Sequence, residues 1–142
     1  MEFEVVLVAF SLFLLLVSLW IAEYQRHKFA LKKIPLRIHV NGTRGKSSVT
    51  RLITWGLISG GYKVVGKTTG SAPVIIIDGK EFPIERVGRA NIKEQIRVVR
   101  EACEVGADVI VVECMAIDPE LQYISERKII KSSIGVITNV RD

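Results

Sequence analysis

The stretch Ile34-Pro35-Leu36-Arg37-Ile38-His39-Val40-Asn41-Gly42-Thr43-Arg44-Gly45-Lys46-Ser47-Ser48-Val49 decides the fold. Leu36, Ile38 and Val40 alternate with Arg37 and His39, the two-residue period of a strand, whereas Val49, Leu52, Ile53 and Leu57 recur at helical spacing. Between the two patterns lies Asn41 to Ser48, a glycine-rich turn ending in Gly-Lys-Ser. Strand, glycine loop and helix N-terminus in this order aim several backbone N–H groups and the positive end of a helix dipole at one point, where an anion such as a phosphate fits. The side chains divide the remaining work. Lys46 can set its ammonium against the β and γ phosphates, and the hydroxyl of Ser47 or Ser48 can ligate the Mg²⁺ that accompanies them. Gly42 and Gly45 allow positive φ and leave room that a Cβ would fill. The common phosphate-loop spacing asks for a further glycine at position 40, where this chain has Val40. A plain structural turn is the competing reading, and the strand before and helix after the loop weigh against it.

Upstream, Val5 to Ala22 carries no charged side chain, and at 1.5 Å per residue these residues cover about 27 Å of a hydrocarbon layer of about 30 Å. Glu2 and Glu4 precede the run, and Arg26, Lys28, Lys32 and Lys33 follow it. The positive-inside tendency therefore predicts a single-pass transmembrane helix in the cell membrane, N-terminus outside and the remainder cytoplasmic. Trp20 and Tyr24 fall near the inner end, where amphipathic rings favour the headgroup region. A cleaved signal peptide would need basic residues before the apolar run and a small-residue cleavage site after it, and neither occurs. A buried core helix is the other alternative. The cytoplasmic placement also sets aside the sequon Asn41-Gly42-Thr43. Residues 1–33 thus form a membrane helix with a basic juxtamembrane segment, and 34–142 are enough for one modest domain. Cys103 and Cys114 lack a metal or redox spacing and read as reduced packing residues. The net charge of +5 comes partly from the juxtamembrane cluster. Tyr24, Tyr62 and Tyr123 make no stacking series along a basic stripe, which argues against nucleic acid as a partner.

Downstream, Gly60-Gly61 closes the first cytoplasmic helix and Tyr62 to Gly66 reads as a second strand, completing a βαβ unit and implying a parallel sheet. The polar loop Lys67-Thr68-Thr69-Gly70-Ser71 follows at the carboxyl end of that strand, where ligands bind in open α/β sheets, so it is a candidate substrate loop. Val74 to Ile77, Asp78-Gly79 and Glu81 to Ile84 predict a β-hairpin inserted between core strands. Asn91 is the expected N-cap of a helix with Ile92, Ile96, Val99 and Cys103 on its apolar face and Arg97, Arg100 and Glu101 solvated outside. Ala107 to Glu113 is an apolar run ending in an acid, the pattern of a central parallel strand with a carboxylate at its tip, and Glu113 is thereby a candidate to hold or orient Mg²⁺. Asp118-Pro119 predicts an N-cap and first-turn proline for a helix reaching Ile129 or Lys131, with Glu120 and Glu126 on a polar surface. Ser133 to Val140 reads as a last parallel strand.

Taken together, the run from Ile34 to Arg51, Gly66-Lys67-Thr68-Thr69-Gly70, Val112-Glu113-Cys114-Met115-Ala116 and Gly135 to Val140 resemble the ATPase subunit of poly-γ-glutamate synthase, a relative of the Mur ligases. The phosphate loop of that family also lacks the early glycine, which accounts for Val40. The resemblance implies an α/β fold like the Mur-ligase central domain: a phosphate loop, a parallel sheet with flanking helices and a β-hairpin, preceded by a membrane helix. It implies that Asn41, Gly42, Thr43, Arg44, Gly45, Lys46, Ser47 and Ser48 hold ATP, with Lys46 as the catalytic residue. Ser47 and Glu113 would ligate Mg²⁺, and Thr68, Thr69 and Gly70 would face the polymer or acceptor. The reaction implied is activation of a chain-end carboxylate as an acyl phosphate, then attack by the amine of an incoming glutamate. The implied partners are the membrane, the other membrane subunits of the synthase, and the poly-γ-glutamate chain end; a homo-oligomer is left open. The family continues past the Asn139 strand with an Asp-His pair and roughly two hundred more residues, judged by ordinary domain sizes. On its own, this chain is expected to bind nucleotide weakly and not to turn over. The alternative from another class is a membrane-anchored nucleotide-binding module that regulates or scaffolds polymer export. A phosphate-loop kinase of the polysaccharide co-polymerase type would carry a glycine at position 40 and a tyrosine-rich tail, and this sequence has neither.

Overall fold

A computed structural model describes residues 2–86, 91–115 and 118–140. In chain order the elements are α1 (Glu2–Lys33), β1 (Leu36–Asn41), α2 (Lys46–Ser59), β2 (Val64–Lys67), β3 (Val74–Ile77), β4 (Lys80–Pro83), α3 (Lys93–Glu104), β5 (Val109–Glu113), α4 (Pro119–Ile124) and β6 (Ile134–Ile137), with α4 running on into a π-helical turn, Ser125–Ile130. Six strands form one sheet in the order β4-β3-β2-β5-β1-β6. β2, β5, β1 and β6 are parallel, whereas β3 runs antiparallel to β2 and β4 antiparallel to β3. The sheet is therefore mixed rather than wholly parallel. The hairpin lies between core strands β2 and β5 along the chain, as expected, and extends the sheet at the free edge of β2. The reason lies in the connection: a parallel return needs a crossover of about a dozen residues or more, and the segment Thr68 to Pro73 permits only an antiparallel one.

β5 is buried at every position, and its apolar run sits at the centre with β1 and β2 on either side. On one face of the sheet, Val49, Ile53, Leu57 and Ile58 of α2 cover Ile38, Val40, Val64, Val109 and Val111. Leu52, expected on the apolar side of α2, is 72% exposed, and Thr50 and Thr54 are buried instead. Gly66 explains this: a Cβ there would stand 2.5 Å from Thr54 Oγ1 and 2.7 Å from its Cγ2, so the helix approaches the sheet where β2 has no side chain.

The other face carries more helix. Ala30, Leu31 and Ile34, with Val98, Val99 and Ala102 of α3 and Ile129 and Ile130 of the π-helical turn, pack over Val65, Ile75, Ile110 and Val112. α1 is thus one continuous helix from the apolar run through the basic segment, and its last turns belong to this core. From Phe3 to Phe29 α1 is exposed apart from half-buried Val17 and His27, and α1 is the one described helix long and apolar enough to cross a membrane. On α3 the fully buried stripe is Gln95, Val98, Val99 and Ala102, while Ile92, Ile96 and Cys103 are partly buried at its margin. Arg100 is not merely solvated, because it pairs with Glu23 of α1. Asn91 acts just ahead of the helix: its Oδ1 accepts from Lys93 N–H at 2.9 Å and Glu94 accepts from Asn91 N–H at 3.2 Å, a reciprocal capping box. Asp118 caps α4 as expected, accepting from the N–H groups of Glu120 and Leu121. Beyond Ile124 the turns widen, Lys131 N–H reaching Glu126 O, and Lys131 closes the helix in the left-handed region at φ 49°. Cys103 is half-buried and Cys114 is buried, both as reduced thiols.

Candidate nucleotide-binding site

The loop between β1 and α2 sits at the carboxyl end of the parallel strands. Gly45 occupies the N-cap position of α2 with φ 79°, a conformation that disfavours other residues. No side chain caps α2 and no acid lies in its first turn. Its leading N–H groups and positive dipole end thus face the loop uncompensated, which suits an anion. Gly42, with φ 134°, is required for a second reason: a Cβ there would collide with Thr138 Oγ1 and stand 3.0 Å from Asn139 O.

That contact belongs to a clamp from the end of β6. Thr138 N–H donates to Asn41 O and Thr43 N–H to Asn139 O. The Asn139 side chain accepts from Arg44 N–H at 3.0 Å and donates to Arg44 O at 3.2 Å, while Thr138 Oγ1 donates to the same carbonyl at 2.6 Å. Asn41 turns back on the loop, its Oδ1 accepting from Gly42 N–H and its Nδ2 donating to Gln122 Oε1, both at 2.8 Å. Lys46 Nζ donates to Gly42 O at 2.7 Å, so the ammonium lies across the loop. Asn41, Gly42, Thr43 and Lys46 line one cleft of about 570 Å³ together with Gln122, Ile137, Asn139 and Val140.

Glu113 is buried at the tip of β5, in register with Val40 of β1. Its Oε2 accepts from Ser47 Oγ at 2.8 Å and from Thr69 N–H at 2.6 Å. The structure therefore brings Ser47, Glu113 and Thr69 together. Ser48 is exposed one residue further along α2 and takes no part in this contact. Gly70 approaches so closely that a Cβ would be 2.9 Å from Ser47 Oγ. Thr68 has a different role: it is buried, and its N–H and Oγ1 bond Val74 O and N–H, holding the turn between β2 and β3. Among the described residues no three His, Cys, Asp or Glu side chains cluster to hold a metal. One hydroxyl and one carboxylate beside an uncapped helix N-terminus nevertheless fit Mg²⁺, which takes oxygen ligands and commonly only one or two carboxylates.

Behind Thr69 lies a charged network that the sequence reading missed. Lys67, expected in a polar loop, is the last residue of β2 and is fully buried, with Nζ 3.2 Å from both Thr69 Oγ1 and Glu94 Oε2. Arg86 binds both oxygens of Glu94 and donates to Thr69 O at 3.0 Å. Burial pushes the Lys67 ammonium below its ordinary pKa, with Glu94 and Glu113 pulling the other way. Burial would raise Glu94, but the Arg86 guanidinium, the Asn91 N–H and Lys67 outweigh it and hold that carboxyl below the usual range. Glu126, expected on a polar surface, is bound by His39 Nδ1 at 2.8 Å and by Ser132. Burial would raise it, but the Ser132 hydroxyl, His39 and the Ser132 N–H outweigh that and hold the carboxyl below the usual range. The Lys67–Glu94 and His39–Glu126 pairs join residues far apart in the chain, so spacing carries no trace of them. The Thr-Asn pair at a strand tip next to the loop was the one available hint of the clamp.

Two curated relatives match this chain. The capsule biosynthesis protein CapB of Bacillus anthracis is 44% identical over 133 residues, 92% of this chain and 28% of that protein. The PGA synthase CapB of Bacillus subtilis (strain 168) is 49% identical over 123 residues, 84% of this chain and 31% of that protein. The chain is homologous to CapB. It spans under a third of the length of these relatives. No protein-family model and no solved structure matches it.

Proposed function

We propose that this chain is the nucleotide-handling part of an ATP-dependent amide ligase of poly-γ-glutamate synthesis. The observation that carries the reading is the convergence of Ser47 and Thr69 on Glu113, at 2.8 and 2.6 Å, beside the Gly42 to Lys46 loop in a CapB homologue. A free carboxylate is a poor electrophile. Transfer of the γ-phosphoryl group to a carboxylate oxygen of the polymer end breaks the bond to ADP and makes an acyl phosphate, and attack by the glutamate amine forms the amide and releases phosphate. The uncapped N–H groups at the start of α2, Gly45 to Ser48, bind the phosphates, and Lys46 moves from Gly42 O onto the β and γ oxygens to stabilise the charge that develops in transfer. Ser47 and Glu113 hold Mg²⁺, which when bound neutralises phosphate charge. Thr69 and Gly70 face the acceptor, and Thr68 keeps their turn in place.

In the same reading α1 spans the cell membrane once, N-terminus outside, with the sheet in the cytoplasm beside the other membrane subunits of the synthase. Two measurements test it. The 142-residue chain binds ATP·Mg²⁺ weakly by titration calorimetry without hydrolysing it, and Lys46→Ala lowers that affinity at least tenfold; family-like turnover by the chain alone would overturn this part. Glu113→Gln at the matching position of a full-length CapB relative abolishes polymer synthesis. Retained synthesis would instead identify a membrane-anchored nucleotide-binding scaffold of polymer export.

A further inference from the structure

A second cleft, of about 330 Å³, opens where α1 leaves its uncharged run. Trp20, Tyr24 and His27 form its α1 wall, Arg100 comes from α3, and Arg127, Lys128 and Lys131 from the π-helical turn and its end. The two aromatic rings stack with centroids 6.4 Å apart. Four cations thus face one carboxylate, Glu23, which Arg100 already engages. Two further polar atoms in this wall are buried without a partner, His27 Nδ1 and Arg100 Nε. The other His27 nitrogen is committed to Ile129 O at 2.9 Å. Nothing in the phosphate-loop site uses any of these groups.

The position along α1 identifies the ligand class. At 1.5 Å per residue, His27 lies about 7 Å beyond Ala22, the end of the uncharged run. The headgroup layer adds about 5 to 8 Å to each side of the hydrocarbon. An amphipathic aromatic pair, unpaired buried polar atoms and an excess of positive charge therefore meet at headgroup depth. We infer that this cleft binds the phosphate headgroup of an anionic membrane lipid, docking the sheet against the leaflet it faces. The inference rests on α1 spanning the bilayer, as proposed above. Arg100 Nε is placed to donate to the phosphate, Arg127, Lys128 and Lys131 supply the attracting field, and Trp20 and Tyr24 cover the glycerol and upper acyl chain.

The test uses the 142-residue chain in phosphatidylcholine nanodiscs, with or without phosphatidylglycerol, read by native mass spectrometry of the lipid retained after release. The chain is expected to retain phosphatidylglycerol preferentially. The triple variant Arg127→Gln/Lys128→Gln/Lys131→Gln should reduce this retention about tenfold or more, through loss of at least one direct charge-assisted contact to the phosphate. The control Lys28→Gln/Lys32→Gln/Lys33→Gln removes equal juxtamembrane charge outside the cleft and should keep the retained lipid. Trp20 fluorescence in a Trp55→Phe background reports occupancy with all the cations intact and should shift with phosphatidylglycerol only. Equal losses in both triple variants, or no preference in the parent chain, overturn the inference while leaving the span intact. Displacement of the lipid by inorganic phosphate reassigns the cleft to a soluble anion and overturns it too. Failure of the chain to enter nanodiscs at all removes both the span and the cleft's ligand.

Discussion

The two faces of the sheet are built differently. On the α2 side one helix lies close over aliphatic strand residues, and the approach depends on Gly66 beneath Thr54. On the opposite side three helical segments from distant parts of the chain meet, and charged or amide groups are buried among the apolar ones: Lys67 with Glu94, His39 with Glu126, and Gln95 with Ser125. The α2 face is a local βαβ product that holds the glycine-rich loop. The other face connects that loop, through Thr69 and Lys67, to α3 and the foot of α1.

The largest effect expected from breaking this contrast is in the thicker core. Ile130→Ala removes a fully buried side chain and should cost about 2 to 5 kcal/mol, whereas Ile53→Ala, partly buried under α2, should cost less, about 1 to 2 kcal/mol. Denaturant unfolding of the detergent-solubilised chain gives both values, and a reversed order would show the α2 face to be the main core. Next comes Gly66→Ala, which forces a Cβ into Thr54 and should cost about 1 to 3 kcal/mol. Adding Thr54→Ala should restore most of that loss; no recovery in the double variant would mean that the close approach does not set the packing. Lys67→Met should change stability by only about 1 kcal/mol, because relief of a buried charge offsets the lost ion pair while Arg86 stays on Glu94. Its effect should appear in weaker ATP binding, as Thr69 loses the Lys67 donor. Unchanged affinity would separate the network from the site.

The smallest effect is in acid. Glu94 and Glu126, both on the thicker side, titrate below the usual range in the fold, so their stabilisation is present above the unfolded glutamate value of about 4.3 and disappears as pH falls through the lower folded values. Glu94→Gln/Glu126→Gln should flatten that part of the stability profile. An unaltered acid slope would assign it to other carboxylates.

The loop and its flanking strand and helix were legible because their signals are local: the apolar alternation of β1, the glycines at 42 and 45, and Lys46-Ser47 at a helix start. Glu113 was legible because an apolar run ending in an acid places that acid at a strand tip. The hairpin was legible from Asp78-Gly79, but the mixed sheet was not, since that turn does not reveal which edge the pair joins. The buried stripe of α3 was displaced toward Gln95 because apolar periodicity cannot register a polar side chain bonded to Ser125 inside the core.

By itself the sequence determined the glycine-rich loop between strand and helix, the central strand with its terminal acid and a helix apolar enough to span a bilayer, all of which follow from side-chain period and backbone freedom within a few neighbouring residues. Only the tertiary structure decided that Thr138 and Asn139 clamp the loop, that Lys67 is buried behind Thr69, and that Arg127, Lys128 and Lys131 gather beside Trp20. Those relations join segments far apart along the chain, and their energies depend on the distance and burial that folding creates.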